Sequence, residues 1–200
     1  MPDSLALEYD RMYTEAPARW DMDELDSVRH HVIKQLALVQ DRRLLDIGCG
    51  SGHTLKYMHD RWPDMDYFGI DLSPEAVKLA QANAPFAEIT CTRLENCDLD
   101  GMDIILLGGV AEHFIDVVGS LRRVRDMVRT DGIVYLEVPN CIEYPGAHGE
   151  GFYRIRADAQ MEWHYSRPRW ETIIKEAGFV ILQSIAGPNK YNEFIWILSK

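Results

Sequence analysis

Residues 44–53 read Leu-Leu-Asp-Ile-Gly-Cys-Gly-Ser-Gly-His. An apolar run carrying one acid passes straight into Gly-x-Gly-x-Gly, which predicts a buried strand, a tight turn and then a helix. Glycine at 48, 50 and 52 removes every Cβ from one face of the turn, so a ligand can lie directly on the backbone. Asp46 adds a carboxylate at the mouth of that loop. A Gly-rich turn with only a structural role is the plain alternative.

The rest of the chain alternates strands and helices around this unit. Arg43–Ile47 is the first strand, and its helix runs to about Asp60. Asp66–Ile70 is the second strand, ending at Asp71, and Ser73-Pro74-Glu75 supplies an N-cap, a first-turn proline and a first-turn acid for the next helix. Glu88–Thr92 is a short third strand. Asp103–Leu107, continuous in Ile and Leu, is a fourth that is buried on both faces. A helix from about Val117 to Arg129 ends in Thr-Asp-Gly, and Ile133–Val138 is the fifth strand. A helix near Arg167–Ala177 then precedes two strands, Phe179–Ile185 and Asn192–Leu198, joined by a link short enough for an antiparallel pair. The order predicts one domain over residues 1–200. It is an α/β, Rossmann-like fold whose mostly parallel seven-stranded sheet has an antiparallel last strand and helices on both faces.

Two stretches stand outside this pattern. Residues 1–26 form an N-terminal arm with Tyr9, Tyr13 and Trp20, either a flap over the ligand site or a loosely packed extension; a helix follows over about Ser27–Val39. Residues 140–165 exceed an ordinary connection and are rich in aromatics, which predicts a substrate-binding insertion at the C-terminal end of the fifth strand. Tyr144, Phe152, Tyr153, Trp163, His164 and Tyr165 would give an apolar slot with polar tips, and Arg154 and Arg156 could hold an anionic group. The alternative is that these rings only anchor the loop or form a dimer contact.

Four segments, "LLDIGCGSGH", "GIDLSPEAV", "MDIILLGGVAEHF" and the run from "GIVYLEVPN" to "HYSRPRWETIIKEAGF", together resemble the class I S-adenosylmethionine (SAM)-dependent methyltransferases, from about residue 27 to the C-terminus. The last two look most like the small-molecule members. The resemblance implies SAM as cofactor, with Asp46, Gly48, Cys49 and Gly50 in the first motif and Leu72 beside the adenine. It places Leu94 and Glu95 at the adenine as well, although Arg93 stands where the family usually has an acid. His113, in Ala-Glu-His-Phe, matches the family's Leu-Glu-His segment beside the transfer centre.

The residues themselves add to this. Asp71 ends the second strand, so the sheet brings it beside the glycine loop, where its oxygens can accept ribose hydroxyls. Gly108 and Gly109 let the chain pass close to the methionine end of the cofactor. His113 and His164 are the candidate bases for an acceptor hydroxyl or amine, with a packed structural histidine the alternative at 113. His30-His31 and His53…His59 lack a carboxylate partner at metal spacing, so no metal is expected.

Composition narrows the partners. A net charge of −11 argues against a nucleic-acid backbone, and the cluster Arg122, Arg123, Arg125 and Arg129 has the helical spacing of a solvated face. The 4 cysteines form no C-x-x-C pair, consistent with thiols in a reducing compartment. The opening Met-Pro-Asp-Ser-Leu lacks the basic and apolar regions of a secretory signal, and no apolar run approaches the ~20 residues of a membrane span. These features predict a cytoplasmic protein acting on a small-molecule acceptor, O-methylation first, with no membrane or nucleic-acid partner; a homodimer is compatible. The rivals are an NAD(P)-dependent oxidoreductase and a non-catalytic SAM-binding partner subunit. The dinucleotide fingerprint would need a small residue where this chain has His53.

Overall fold

A computed structural model describes residues 4–15, 42–140, 149–154, 161–186 and 193–200. The helix expected at 27–39, Trp20 and Tyr144 fall outside these residues. Nine strands are present among them: β1 (Arg43–Ile47), β2 (Asp66–Asp71), β3 (Glu88–Cys91), β4 (Met102–Gly108), β5 (Val128–Val138), β6 (Gly151–Arg154), β7 (Met161–His164), β8 (Val180–Ala186) and β9 (Phe194–Ser199). Five helices are α1 (Ser4–Glu15), α2 (His53–His59), α3 (Pro74–Asn83), α4 (Val117–Met127) and α5 (Arg167–Glu176).

Seven strands form one sheet in the order β3-β2-β1-β4-β5-β9-β8. The first five are mutually parallel, and β9 runs antiparallel to both β5 and β8. The pleat sends alternate residues of each central strand to opposite faces. Leu45, Ile47, Ile105, Leu107, Leu136 and Trp196 pack with α4 and α5 on one face. Leu44, Ile104, Leu106, Tyr135 and Ile197 pack with α2 and α3 on the other. Burial on both faces is why β1 after Arg43 and β4 are apolar runs, save for the acids Asp46 and Asp103. The expected α/β sheet is therefore present. No helix among the described residues is long and apolar enough to cross a membrane.

The structure departs from expectation in two places that matter. The helix α4 stops at Met127, and β5 already starts at Val128, so Thr130-Asp131-Gly132 lies within the strand instead of ending the helix. Gly132 makes this possible: a Cβ there would come within 2.9 Å of the carbonyls of Met102 and Asp103. The β4–β5 register shifts at the same point. Second, Gly151–Arg154 and Met161–His164 pair antiparallel as the hairpin strands β6 and β7, separate from the main sheet.

The arginine cluster does more than face solvent. Arg122 donates to the Glu176 carbonyl and Arg125 to the Gly178 carbonyl, capping the end of α5. Arg123 donates to the Cys97 carbonyl, and Arg129 bonds Asp103 at 2.9 Å. Asp103 also accepts the Arg43 backbone N–H, tying β1 and β4 together at the end of the sheet away from the glycine loop.

Candidate active site

At the C-terminal edge of the parallel strands, the chain leaves β1 through three glycines with positive φ: Gly48 at 70°, Gly50 at 52° and Gly52 at 79°. The loop is pinned to its neighbour because the N–H groups of Gly48 and Cys49 both donate to the Ile70 carbonyl. Gly52 starts α2 against α3, where a Cβ would sit 3.0 Å from the Ala80 Cα. Its missing side chain is what lets the two helices approach.

Asp71 meets this loop from β2. Its Oδ2 accepts the Gly50 N–H and its Oδ1 the Ser73 N–H, each at 2.9 Å. The Leu72 N–H adds a third backbone bond, so of the carboxylate's four acceptor sites one is left for a hydroxyl donor while the acid braces the loop. Burial raises its pKa, and the backbone bonds from Ser73 and Gly50 pull it back down. Burial also pushes the Cys49 thiol up, with Asp46 and Asp71 adding to the effect, so that thiol is a packed neutral group.

The remaining cofactor candidates flank this pair. The Thr92 N–H donates to the Asp71 carbonyl, which carries the chain from β3 into the short turn of helix at Leu94–Asn96; Leu94 is buried there and Glu95 exposed. The Leu72 carbonyl accepts from the Cys91 thiol. On the other side, β4 ends at Gly108, and Gly109 takes a φ of 68° with its N–H donating to the Glu137 carbonyl. Val110 covers Gly48, since a Cβ on that glycine would overlap its side chain.

Next comes a turn of 3-10 helix, Ala111–His113, that holds Glu112 and His113. His113 Nδ1 lies 3.0 Å from the Met161 carbonyl on β7. A carbonyl can only accept, so Nδ1 carries the proton and Nε2 of the neutral ring carries the lone pair. Nε2 is 3.8 Å from the Glu112 carboxylate. Burial lowers the His113 pKa from 6.5, partly offset by the Met161 carbonyl. On β7 the other candidate, His164, is buried, with Nε2 3.8 Å from the Glu162 carboxylate.

The aromatics of the insertion divide by strand face. Trp163 donates Nε1–H to the Phe114 carbonyl, stacks on Tyr165 and tilts against Phe152; Tyr165 meets the buried Trp170 edge-on. These rings fasten the hairpin to the sheet. Glu162 and His164 lie on the opposite face of β7. Tyr153 has its backbone opposite Glu162.

Two residues in the cluster, Glu112 and Glu162, carried no signal as site groups in the sequence, and Tyr9 was expected only within a flap or a loosely packed arm. Tyr9 lies edge-on to His113 at 5.9 Å. Burial raises its pKa strongly, and Glu112, Asp71, Tyr13 and Glu162 add to this, so it stays a protonated phenol that can donate. Only the tertiary fold brings these acids to one tyrosine.

The family model for a methyltransferase domain matches residues 21–184. The chain belongs to that family. A malonyl-[acyl-carrier protein] O-methyltransferase of Acetivibrio thermocellus is 29% identical over 94 residues, covering 46% of this chain and 33% of the relative. The chain spans between a third and about half of the length of the first curated relatives it matches. Among solved structures, the methyltransferase in complex with the Haloferax volcanii Trm112 methyltransferase activator superposes with TM-score 0.79 at 15% identity, covering 96% of this chain and 97% of that one. The 1,6-didemethyltoxoflavin-N1-methyltransferase of Burkholderia thailandensis, bound to its acceptor and S-adenosylhomocysteine (SAH), gives 0.77 at 21% identity, with 98% and 87% covered. At those identities the likeness shows the fold. The cofactor of this methyltransferase domain is SAM, and the cleft suits it. The glycine loop presents backbone with no Cβ at its three glycines, and Asp71 offers a part-buried carboxylate with acceptor capacity left beyond its backbone bonds.

Proposed function

We propose that the chain transfers the methyl group of SAM to a small-molecule acceptor, at a hydroxyl oxygen. The observation that carries this is His113, a buried imidazole whose proton is tied to the Met161 carbonyl and whose Nε2 lone pair lies beside Glu112. SAM supplies a methyl already activated on a sulfonium, so the chain has to orient the nucleophile, exclude water and manage one proton.

On this reading Gly48, Cys49, Gly50 and Asp46 hold the methionine end, with Gly108 and Gly109 opposite. Asp71 accepts the ribose hydroxyls, and Leu72, Leu94 and Glu95 flank the adenine. His113 Nε2 takes the acceptor's proton, and the adjacent Glu112 carboxylate stabilises the imidazolium that results. His164 and Glu162 line the hairpin side. Tyr144, Tyr153, Trp163 and Tyr165 belong to the acceptor wall, Trp163 and Tyr165 by holding the hairpin in place. The O-methyltransferase among the relatives supports oxygen as the acceptor atom.

The test is transfer of label from methyl-tritiated SAM into a small-molecule extract. The wild-type chain is expected to label a low-molecular-weight product. A variant with residues 143–162 replaced by a short Gly/Ser link is expected to keep SAH affinity and lose labelling. Retained labelling in that variant would remove the insertion from the acceptor site.

A further inference from the structure

The helix α1 lies across the cleft just described. Tyr9 and Tyr13, one turn apart, share a face of it. Tyr13 places its hydroxyl over Gly50, where a Cβ would overlap it, and Tyr9 meets His113. One helical turn therefore touches both the glycine loop and the transfer-site histidine. Between the two tyrosines is Asp10. Its Oδ1 accepts the Ser73 hydroxyl and the Glu75 N–H, each at 3.0 Å, at the N-terminus of α3. The same Ser73 gives its backbone N–H to Asp71.

Asp10 is not needed to start α3. Ser73 already caps that helix, its Oγ accepting the Ala76 N–H at 3.1 Å, and Pro74 presets the first turn. What the two Asp10 bonds hold is α1. At 12 residues, α1 is too short to be stable in water without docking. It docks on α3 through Asp10 and on the cleft through the two phenols, and those phenols stand over the surface where the cofactor must enter.

We propose that Asp10 is a positioning residue that latches α1 over the donor cleft, so that SAM enters and SAH leaves only when the latch opens. The proposal rests on the SAM reading of the cleft. It makes the exchange of SAH for SAM a local opening of α1, with the sheet intact.

The test is stopped-flow binding of SAH to the full chain, with hydrogen exchange as a readout independent of turnover. In Asp10→Ala both association and dissociation are expected to quicken, by about tenfold each, with a smaller change in Kd. Amides of residues 4–15 are expected to exchange faster, together with Glu75, whose N–H loses its acceptor, and those of 77–83 to stay as in wild type. Asp10→Asn keeps an acceptor oxygen and is expected to restore wild-type rates. If dissociation alone quickens, Asp10 belongs to a fixed wall, and the latch is wrong; unchanged rates also overturn it. Should Asp10→Ala fail to fold, wild-type exchange decides. The latch requires residues 4–15 to exchange faster than the sheet and to slow on adding SAH, and equal protection with and without SAH refutes it. Wild-type protein that binds no SAH would instead count against the SAM reading itself.

Discussion

Replacing His113 by alanine is expected to lower kcat by about 10²–10⁴-fold, the usual contribution of a positioned general base, with SAH affinity nearly unchanged. The ring acts as a base only while neutral, and burial favours the neutral form by lowering its pKa from 6.5. The acidic limb of kcat/KM against pH in the wild type is therefore expected below the ordinary histidine range, with full activity retained at pH 7. In His113→Ala that limb should disappear. The same burial has a stability consequence of definite sign. Above 6.5 the ring is neutral in both folded and unfolded chains and contributes no pH dependence. As pH falls from 6.5 toward the lowered folded value, the unfolded chain takes up the proton first, and stability is lost. His113→Ala should flatten that loss. A variant that keeps the wild-type pH–rate profile and only melts earlier would show that His113 is a packing residue.

Trp170→Ala is expected to cost about 3–5 kcal/mol of stability, the range for removing a buried large aromatic side chain. In a chain of this size that is a fall of roughly 6–20 °C in Tm. Trp170 on α5 is fully buried and among the largest such side chains in the fold. It also meets Tyr165, which stacks on Trp163 of the hairpin, and the Trp163 indole N–H fastens β7 to the Phe114 carbonyl. The cavity therefore lies beneath the strand that supplies the Met161 carbonyl to His113. Loss of activity is expected at temperatures where the variant is still folded, because the hairpin loses its anchor before the sheet melts. Thermal unfolding followed by circular dichroism, alongside turnover measured below the transition, checks both parts. A melting temperature within a few degrees of wild type would mean that the core repacks around the vacancy.

The parallel sheet and its glycine loop were legible because their signals are local. Leu44-Leu45 runs into Gly48 with no ambiguity of length, and β1 spans Arg43–Ile47 as expected. Ser73-Pro74-Glu75 carries its own start signal, and Ser73 does cap α3. Thr130-Asp131-Gly132 misled for a physical reason. A turn signature and a glycine needed for close backbone approach look the same in sequence, and only the carbonyls of Met102 and Asp103 distinguish them. The hairpin β6–β7 has strands of four residues, too short to establish a period, and its logic is the cross-strand pair Phe152 and Trp163. The site divides in the same way. Asp71 was readable because a strand end beside a glycine loop has few places to go. The grouping of Tyr9, Glu112 and Glu162 was not readable, because it depends on α1, the 3-10 turn and the hairpin meeting in space. The arginines of α4 show the converse: helical spacing suggested a solvated face, but Arg122 and Arg125 reach carbonyls 54 and 53 residues away.

Titration calorimetry of SAH against the wild-type chain and Asp71→Ala distinguishes a cofactor held between the glycine loop and Asp71 from one held elsewhere. One site per chain is expected in the wild type, with an affinity about ten- to a hundredfold weaker in Asp71→Ala, since ribose hydroxyls would lose an acceptor worth about 1–3 kcal/mol. Equal SAH affinity in the two proteins would contradict the placement, and binding of a nicotinamide dinucleotide in place of SAH would contradict the function.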